Sequence, residues 1–222
     1  MTAEDESAIA CLLSNRQALS AGAPLISEEH VGQDAFALLS GWAYRFRMFE
    51  DGRRQISRLF LPGDFIGLNA TLLGMPEQSV AALTDVQVAR FEGAALIDLL
   101  QKSRRLWLAF LWSDTRDRFI TEERIASIGR RSAYERLAHV FMELYLRLEL
   151  IGEATEDAFT LPLTQEHLAD LVGLTSIHVN RVLRRLRQDG LIAVEARTIR
   201  LLSRHKLMQI AEFDPRYLMH RP

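Results

Sequence analysis

A single cysteine, Cys11, stands among 222 residues. One thiol cannot close an intrachain disulfide or supply the four thiolates of a zinc or iron-sulfur site. Long apolar runs are missing too. The longest, LWLAFLW from Leu106 to Trp112, falls far short of the roughly 20 residues a membrane-spanning helix needs. The amino-terminal MTAEDESAIA is acidic, without the basic stretch and apolar core of a secretory leader, so a cytoplasmic protein with no membrane partner is expected. The six histidines, His30, His139, His167, His178, His205 and His220, fall in no metal-ligand spacing. With no nucleophile motif and no glycine-rich phosphate loop either, an enzyme is not expected, nor is a cofactor, a metal site or any catalytic residue.

Neither sign of charge is in large excess: 27 Lys and Arg face 29 Asp and Glu, for a net charge of −2. The distribution is polarised all the same. Residues 1 to 30 carry Glu4, Asp5, Glu6, Glu28 and Glu29 against Arg16, whereas residues 173 to 206 carry Arg181, Arg184, Arg185, Arg187, Arg197, Arg200, Arg204 and Lys206 against Asp189 and Glu195. Such a local positive excess is the electrostatic footprint of a small nucleic-acid-binding domain.

Residues 24 to 91 carry the punctuation of strands and turns. In WAYRFRM, apolar Trp42, Tyr44, Phe46 and Met48 alternate with Ala43, Arg45 and Arg47, the period of a half-buried strand. EDG at 50 to 52 supplies the hairpin turn into RRQISRLFL, PGDFIG at 62 to 67 is a corner, and SVAALT and VQVARF are further short strands. This pattern predicts a small antiparallel roll. After Gly93 the pattern becomes helical. AALIDLLQ is a short helix, and 104 to 129 runs without proline, a length of about 39 Å at helical rise. Leu108, Leu111, Trp112, Thr115 and Phe119 recur along it at three- and four-residue spacings, the seam expected where a helix meets a partner helix, either that of a second subunit or a part of its own chain such as the roll it would cover. Gly129 with Arg130 and Arg131 is read as a hinge, SAYE at 132 to 135 as a capping box, and GEATEDAF at 152 to 159 as a polar loop.

Thr164 is the expected N-cap of TQEHLADLVG, which buries Leu168, Leu171 and Val172, places small Ala169 at a helix crossing and ends at Gly173. Thr175 then caps SIHVNRVLRRLRQ. Two helices joined by a short glycine-containing turn form a helix-turn-helix, whose second helix enters the major groove. Turning Val179, Val182, Leu183 and Leu186 inward leaves Ile177, Arg181, Arg184, Arg185 and Gln188 outside. Ser176, Ile177 and Arg181, at the amino-terminal end, are the candidates for base readout, with Arg181 able to present paired donors to guanine. Thr164, Gln165, Thr175, His178, Arg184, Arg185 and Arg187 are candidates for the DNA backbone. DGLIAVEARTIRLL then predicts a two-stranded wing turning at Glu195 and Ala196, with Arg197 reaching the backbone. A closing helix is expected over 203 to 213.

In this combined order the chain resembles the Crp/Fnr superfamily of bacterial transcription regulators. DGRRQISRLFLPGDFIG looks like its β-roll hairpin and corner, 104 to 129 lies where its long dimerisation helix belongs, and LTQEHLADLVGLTSIHVNRVLRRLRQDGLI is similar to its winged helix-turn-helix. The resemblance implies an α+β fold with an N-terminal antiparallel, jelly-roll-like β-roll of cyclic-nucleotide-binding type (1–103), a long dimerisation helix and hinge (104–130), and a C-terminal winged helix-turn-helix domain (131–222). It also implies a homodimer on roughly palindromic double-stranded DNA, with RNA polymerase as a further partner of an activator. Cyclic-nucleotide-responsive members continue the corner into Gly-Glu and hold the phosphate with Arg-Ser. Here Leu68 and Asn69 follow Gly67, and GMPEQSVAALT has Ser79 but no arginine. Cyclic AMP or GMP is therefore not the expected effector, whose identity the sequence leaves open. The competing reading is a ligand-sensing or protein-interaction module whose helix pair meets a partner other than DNA.

Overall fold

The computed structural model describes residues 3–28, 34–74 and 77–219. Glu29, His30 and His220, together with Met75 and Pro76 of the GMPEQSV stretch, lie outside the described residues. The chain divides into two compact units, Met1–Gly52 with Ser57–Thr115 and Arg53–Ile56 with Arg116–Pro222.

Helix α1 (Ala3–Leu12) precedes strands β1 (Arg16–Leu19), β2 (Pro24–Ile26), β3 (Asp34–Ser40), β4 (Ala43–Met48), β5 (Arg54–Phe60) and β6 (Phe65–Ile66), all in the first unit except the start of β5. Helix α2 (Leu68–Leu73), strands β7 (Ser79–Ala82) and β8 (Val86–Glu92) and helix α3 (Gly93–Lys102) follow. The strands form two antiparallel sheets in the orders β1-β8-β3-β6 and β2-β7-β4-β5. Side chains alternate across β3. Phe36 and Leu38 join Val80, Ala82, Val86 and Val88 between the sheets, while Ala35 and Ala37 lie on the other face with Phe91 and Leu96, beneath Leu12, Leu99 and Leu100 of the helices. At the corner, Asp64 is buried; its carboxylate accepts the Leu61 N–H at 2.9 Å and lies 3.6 Å from the buried Arg58 guanidinium. Gly67, at φ 81°, permits the exit, since a Cβ there would stand 2.8 Å from Ile26 Cδ1.

The residues before 24, for which the sequence offers no structural reading, form α1 and β1; β1 is held by register pairing of Arg16–Leu19 with Val86–Ala89, which no local pattern announces. One expectation changes in this unit. In β4 the face toward the roll core is set by Ala43, not by the aromatic residues. Tyr44 and Phe46 pair ring to ring at 5.3 Å, Met48 is 52% exposed, and Arg45 lies over the core residue Phe60, 5.8 Å from its ring centre.

Helix α4 (Arg104–Arg130) is continuous, one residue longer than its sequence reading. In the second unit α5 (Ala133–Leu150) is central, opened by a complete capping box between Ser132 and Glu135. Then come β9 (Ala154–Thr155), β10 (Ala158–Thr160), α6 (Gln165–Val172), α7 (Ser176–Gln188), β11 (Ile192–Glu195), β12 (Thr198–Leu201) and α8 (Arg204–Ala211). The segment read as a polar loop is a hairpin, turned by Glu156 and Asp157 at φ 50° and 61°. Its second strand adds to the wing, giving the sheet order β11-β12-β10-β9.

Beneath the winged helices lies a buried ionic cluster. Glu143, 1% exposed, accepts from Arg124 Nη2 at 2.9 Å and from Arg147 Nη1 at 3.2 Å. Burial alone would raise its carboxyl, but the two guanidiniums overcome that and hold it below the ordinary carboxylate value. Burial pushes the neighbouring His139 down to about 4, against the pull of Glu143. Acid therefore weakens this unit as the pH falls from the unfolded histidine value toward that figure.

Candidate nucleic-acid interface

The helix pair is built by local signals. Thr164 caps α6 by accepting the His167 N–H at 3.1 Å, and His167 reciprocates, its Nδ1 accepting the Thr164 N–H at 3.4 Å. Burial lowers the His167 pKa, which keeps that nitrogen free to accept. Gly173 ends α6 at φ 67°, a conformation side chains resist. Thr175 opens α7 by accepting the His178 N–H at 3.3 Å. Val179, Val182 and Leu186 are buried and Leu183 is half-buried, so the apolar stripe faces the domain as expected.

The outward face is equally ordered. Ile177 is 74% exposed, and Ser176, His178, Arg181, Arg184 and Arg187 are exposed as well. Among the described residues nothing holds the guanidiniums of Arg181, Arg184 or Arg187. Arg185 differs: it stacks over the Tyr134 ring at 4.8 Å and lies 3.8 Å from Asp189, whose carboxylate accepts the Tyr134 hydroxyl at 2.6 Å. That arginine turns back toward α5. Burial first, then the bond to Asp189, raise the Tyr134 pKa to about 12, so the phenol stays a donor.

Gln165 also has a partner that the sequence did not indicate. Its Oε1 accepts Asn180 Nδ2 at 3.1 Å, tying the first turn of α6 to the middle of α7. Arg197 is exposed at the wing tip, where Ala196 adopts φ 53° and the Arg197 carbonyl accepts the Leu161 N–H at 2.7 Å. Ser176, Ile177 and Arg181 thus share the open end of α7, with Thr164 and Thr175 serving as caps. On α4, Leu108, Leu111 and Phe119 are 50%, 45% and 39% exposed, and Trp112 and Thr115 are half-buried beside them. Ile125, 67% exposed, extends this apolar row beyond the residues named from the sequence.

An antiparallel roll, a long helix carrying an uncovered apolar row and a winged helix-turn-helix with a free cationic face define a two-domain DNA-binding regulator. The cyclic nucleotide-binding domain family matches residues 16–103, and the Crp-like helix-turn-helix domain family matches residues 135–210. The nitrogen fixation regulation protein FixK of Bradyrhizobium diazoefficiens is 30% identical over 199 residues, 90% of this chain and 83% of FixK. The transcriptional activator protein FnrL of Cereibacter sphaeroides is 30% identical over 164 residues, 72% of this chain and 65% of FnrL. The solved structure of FixK2 from Bradyrhizobium japonicum superposes with a TM-score of 0.77 at 24% identity, covering 88% of this chain and 96% of that one. The chain belongs to the Crp/Fnr superfamily of transcription regulators, and α6 and α7 are its DNA-binding helix-turn-helix.

Proposed function

We propose that the protein acts as a homodimer on a roughly palindromic operator, reading base edges with Ser176, Ile177 and Arg181. The observation that carries this reading is the free, exposed amino-terminal end of α7, where Ile177 is 74% exposed on a helix anchored by Val179 and Leu186. An apolar side chain held out at that end suits a thymine methyl, and an unpaired guanidinium one turn later suits guanine. Thr164, Gln165, Thr175, His178, Arg184, Arg187 and Arg197 are the residues proposed to supply backbone contacts. Arg185, engaged with Tyr134 and Asp189, contributes mainly by fixing the helix. The activators among the relatives, such as FnrL, support activation, with RNA polymerase as the partner.

The roll is proposed to work without cyclic AMP. The stretch corresponding to the phosphate-binding segment of responsive members has no arginine, and within it Gln78 Oε1 accepts the Ser57 hydroxyl at 2.9 Å. Its neighbour Glu77 already pairs with Arg45 at 2.9 Å, so the nearby cation is matched by the protein's own carboxylate.

The dimer is tested on the α4 seam. Leu111→Asp would place an unpaired carboxylate in a desolvated interface, so the dissociation constant is expected to rise by roughly a hundredfold or more. Analytical ultracentrifugation should show a monomer where the wild type is a dimer, with affinity for a two-half-site duplex falling alongside. An unchanged dimer would remove α4 from the interface.

A further inference from the structure

The clearest unassigned contact is made by one guanidinium. Arg136, in the first turn of α5, donates from all three of its nitrogens to main-chain carbonyls: Nε to Arg131 at 2.9 Å, Nη2 to Ile128 at 2.7 Å and Nη1 to Val172 at 3.0 Å. These acceptors have one thing in common. Ile128 lies in the last turn of α4, Arg131 just beyond it, and Val172 is the last residue of α6. A helix leaves its final carbonyls without intrahelical partners and carries partial negative charge at that end. Two helix ends therefore converge on one cation.

The surroundings stiffen this junction. Arg131, whose carbonyl is one acceptor, is itself held by Glu123 through two bonds of 3.1 Å and by Ser127 Oγ at 2.9 Å. Gly173 lies near the same place: a Cβ there would fall 3.8 Å from Arg136 Nη1 and 3.8 Å from Ile128 Cγ2. The end of α6 is thus tied to the end of α4 through a rigid planar fork, which a lysine ammonium cannot reproduce.

We infer that Arg136 is a positioning residue that fixes the angle between the dimerisation helix and the reading helix, and so sets the half-site spacing the dimer accepts. The inference rests on the dimeric reading above. In a two-fold dimer joined along α4, the separation of the two α7 helices follows from how each helix pair is fastened to its own α4. Loosening that fastening leaves each reading surface intact while letting the pair span more than one separation.

The test measures binding of the full-length protein to duplexes carrying two identical half-sites, with the spacer varied by one and two base pairs about the optimum. Wild type is expected to prefer one spacer by roughly tenfold over its neighbours. Arg136→Ala and Arg136→Lys are expected to stay dimeric in sedimentation and to keep the same half-site sequence preference, while the spacer preference shrinks to about twofold. The lysine variant keeps the charge, so it gives the answer if the alanine variant fails to fold. A spacer profile as sharp as wild type, with affinity merely reduced on every duplex, would show a structural role only and overturn the inference. A dimeric wild type with no spacer preference would overturn it as well, without touching the dimer, whereas a monomeric wild type would remove the dimeric reading itself.

Discussion

Glu143→Ala is expected to destabilise the winged domain by roughly 3–5 kcal/mol, the cost of leaving buried charge without its counterpart. Glu143 is the shared acceptor of Arg124 and Arg147, at 2.9 and 3.2 Å, and all three side chains are nearly sealed from water, at 1%, 6% and 4% residue exposure. Its removal takes from Arg124 and Arg147 the buried carboxylate they share and adds a cavity. The whole stability of a domain is only about 5–15 kcal/mol, so the variant should unfold at a much lower urea concentration, or fail to accumulate folded. Glu149→Ala offers the contrast on the same helix. Glu149 is 46% exposed beside Arg204, and its loss is expected to cost less than about 1 kcal/mol. Similar urea midpoints for the two variants would show that the buried cluster is not what holds α4 to α5.

Arg181→Ala is expected to relax sequence preference at one base-pair position in each half-site by about 10- to 100-fold, the discrimination of a lost bidentate guanine contact. Among the described residues nothing holds its guanidinium, whereas Arg185 is already committed to Tyr134 and Asp189. Arg187→Ala supplies the comparison: a phosphate contact should weaken every sequence alike and reduce the slope of log affinity against log salt by about 1. Fluorescence anisotropy on operator variants separates the two. If Arg181→Ala lost affinity equally on every duplex, base readout would have to pass to Ser176 and Ile177 alone.

The helix-turn-helix is legible in the sequence because its determinants are local. Thr164, Gly173 and Thr175 mark three helix boundaries by capping chemistry, and Val179, Val182 and Leu186 mark the buried side by period alone. The strands of the roll are legible as strands, but their facing is not. In β4, residues 42 to 44 are all compatible with burial, and only the opposite sheet decides that Ala43 points inward. The β9–β10 hairpin was hidden because its turn uses Glu156 and Asp157 in the left-handed region, without the glycine that usually announces it, and because β10 is held by a distant strand, Phe159 against Ile199. The i, i+4 spacing of Glu143 and Arg147 by itself says nothing of burial, and burial is what makes the pair costly to break. The bonds of Arg136 to Val172 and of Asn180 to Gln165 carried no local signal, since those partners lie 36 and 15 residues away.

The central claim is that a dimer reads DNA through the amino-terminal end of α7 without needing cyclic AMP. The most direct measurement is selection of bound duplexes from randomised DNA at low salt, with full-length protein, in parallel with and without cyclic AMP. Two inverted copies of one short sequence, centred about one helical turn apart, should emerge identically in both arms. Enrichment of no two-fold-related site, or of one only when cyclic AMP is present, would contradict it.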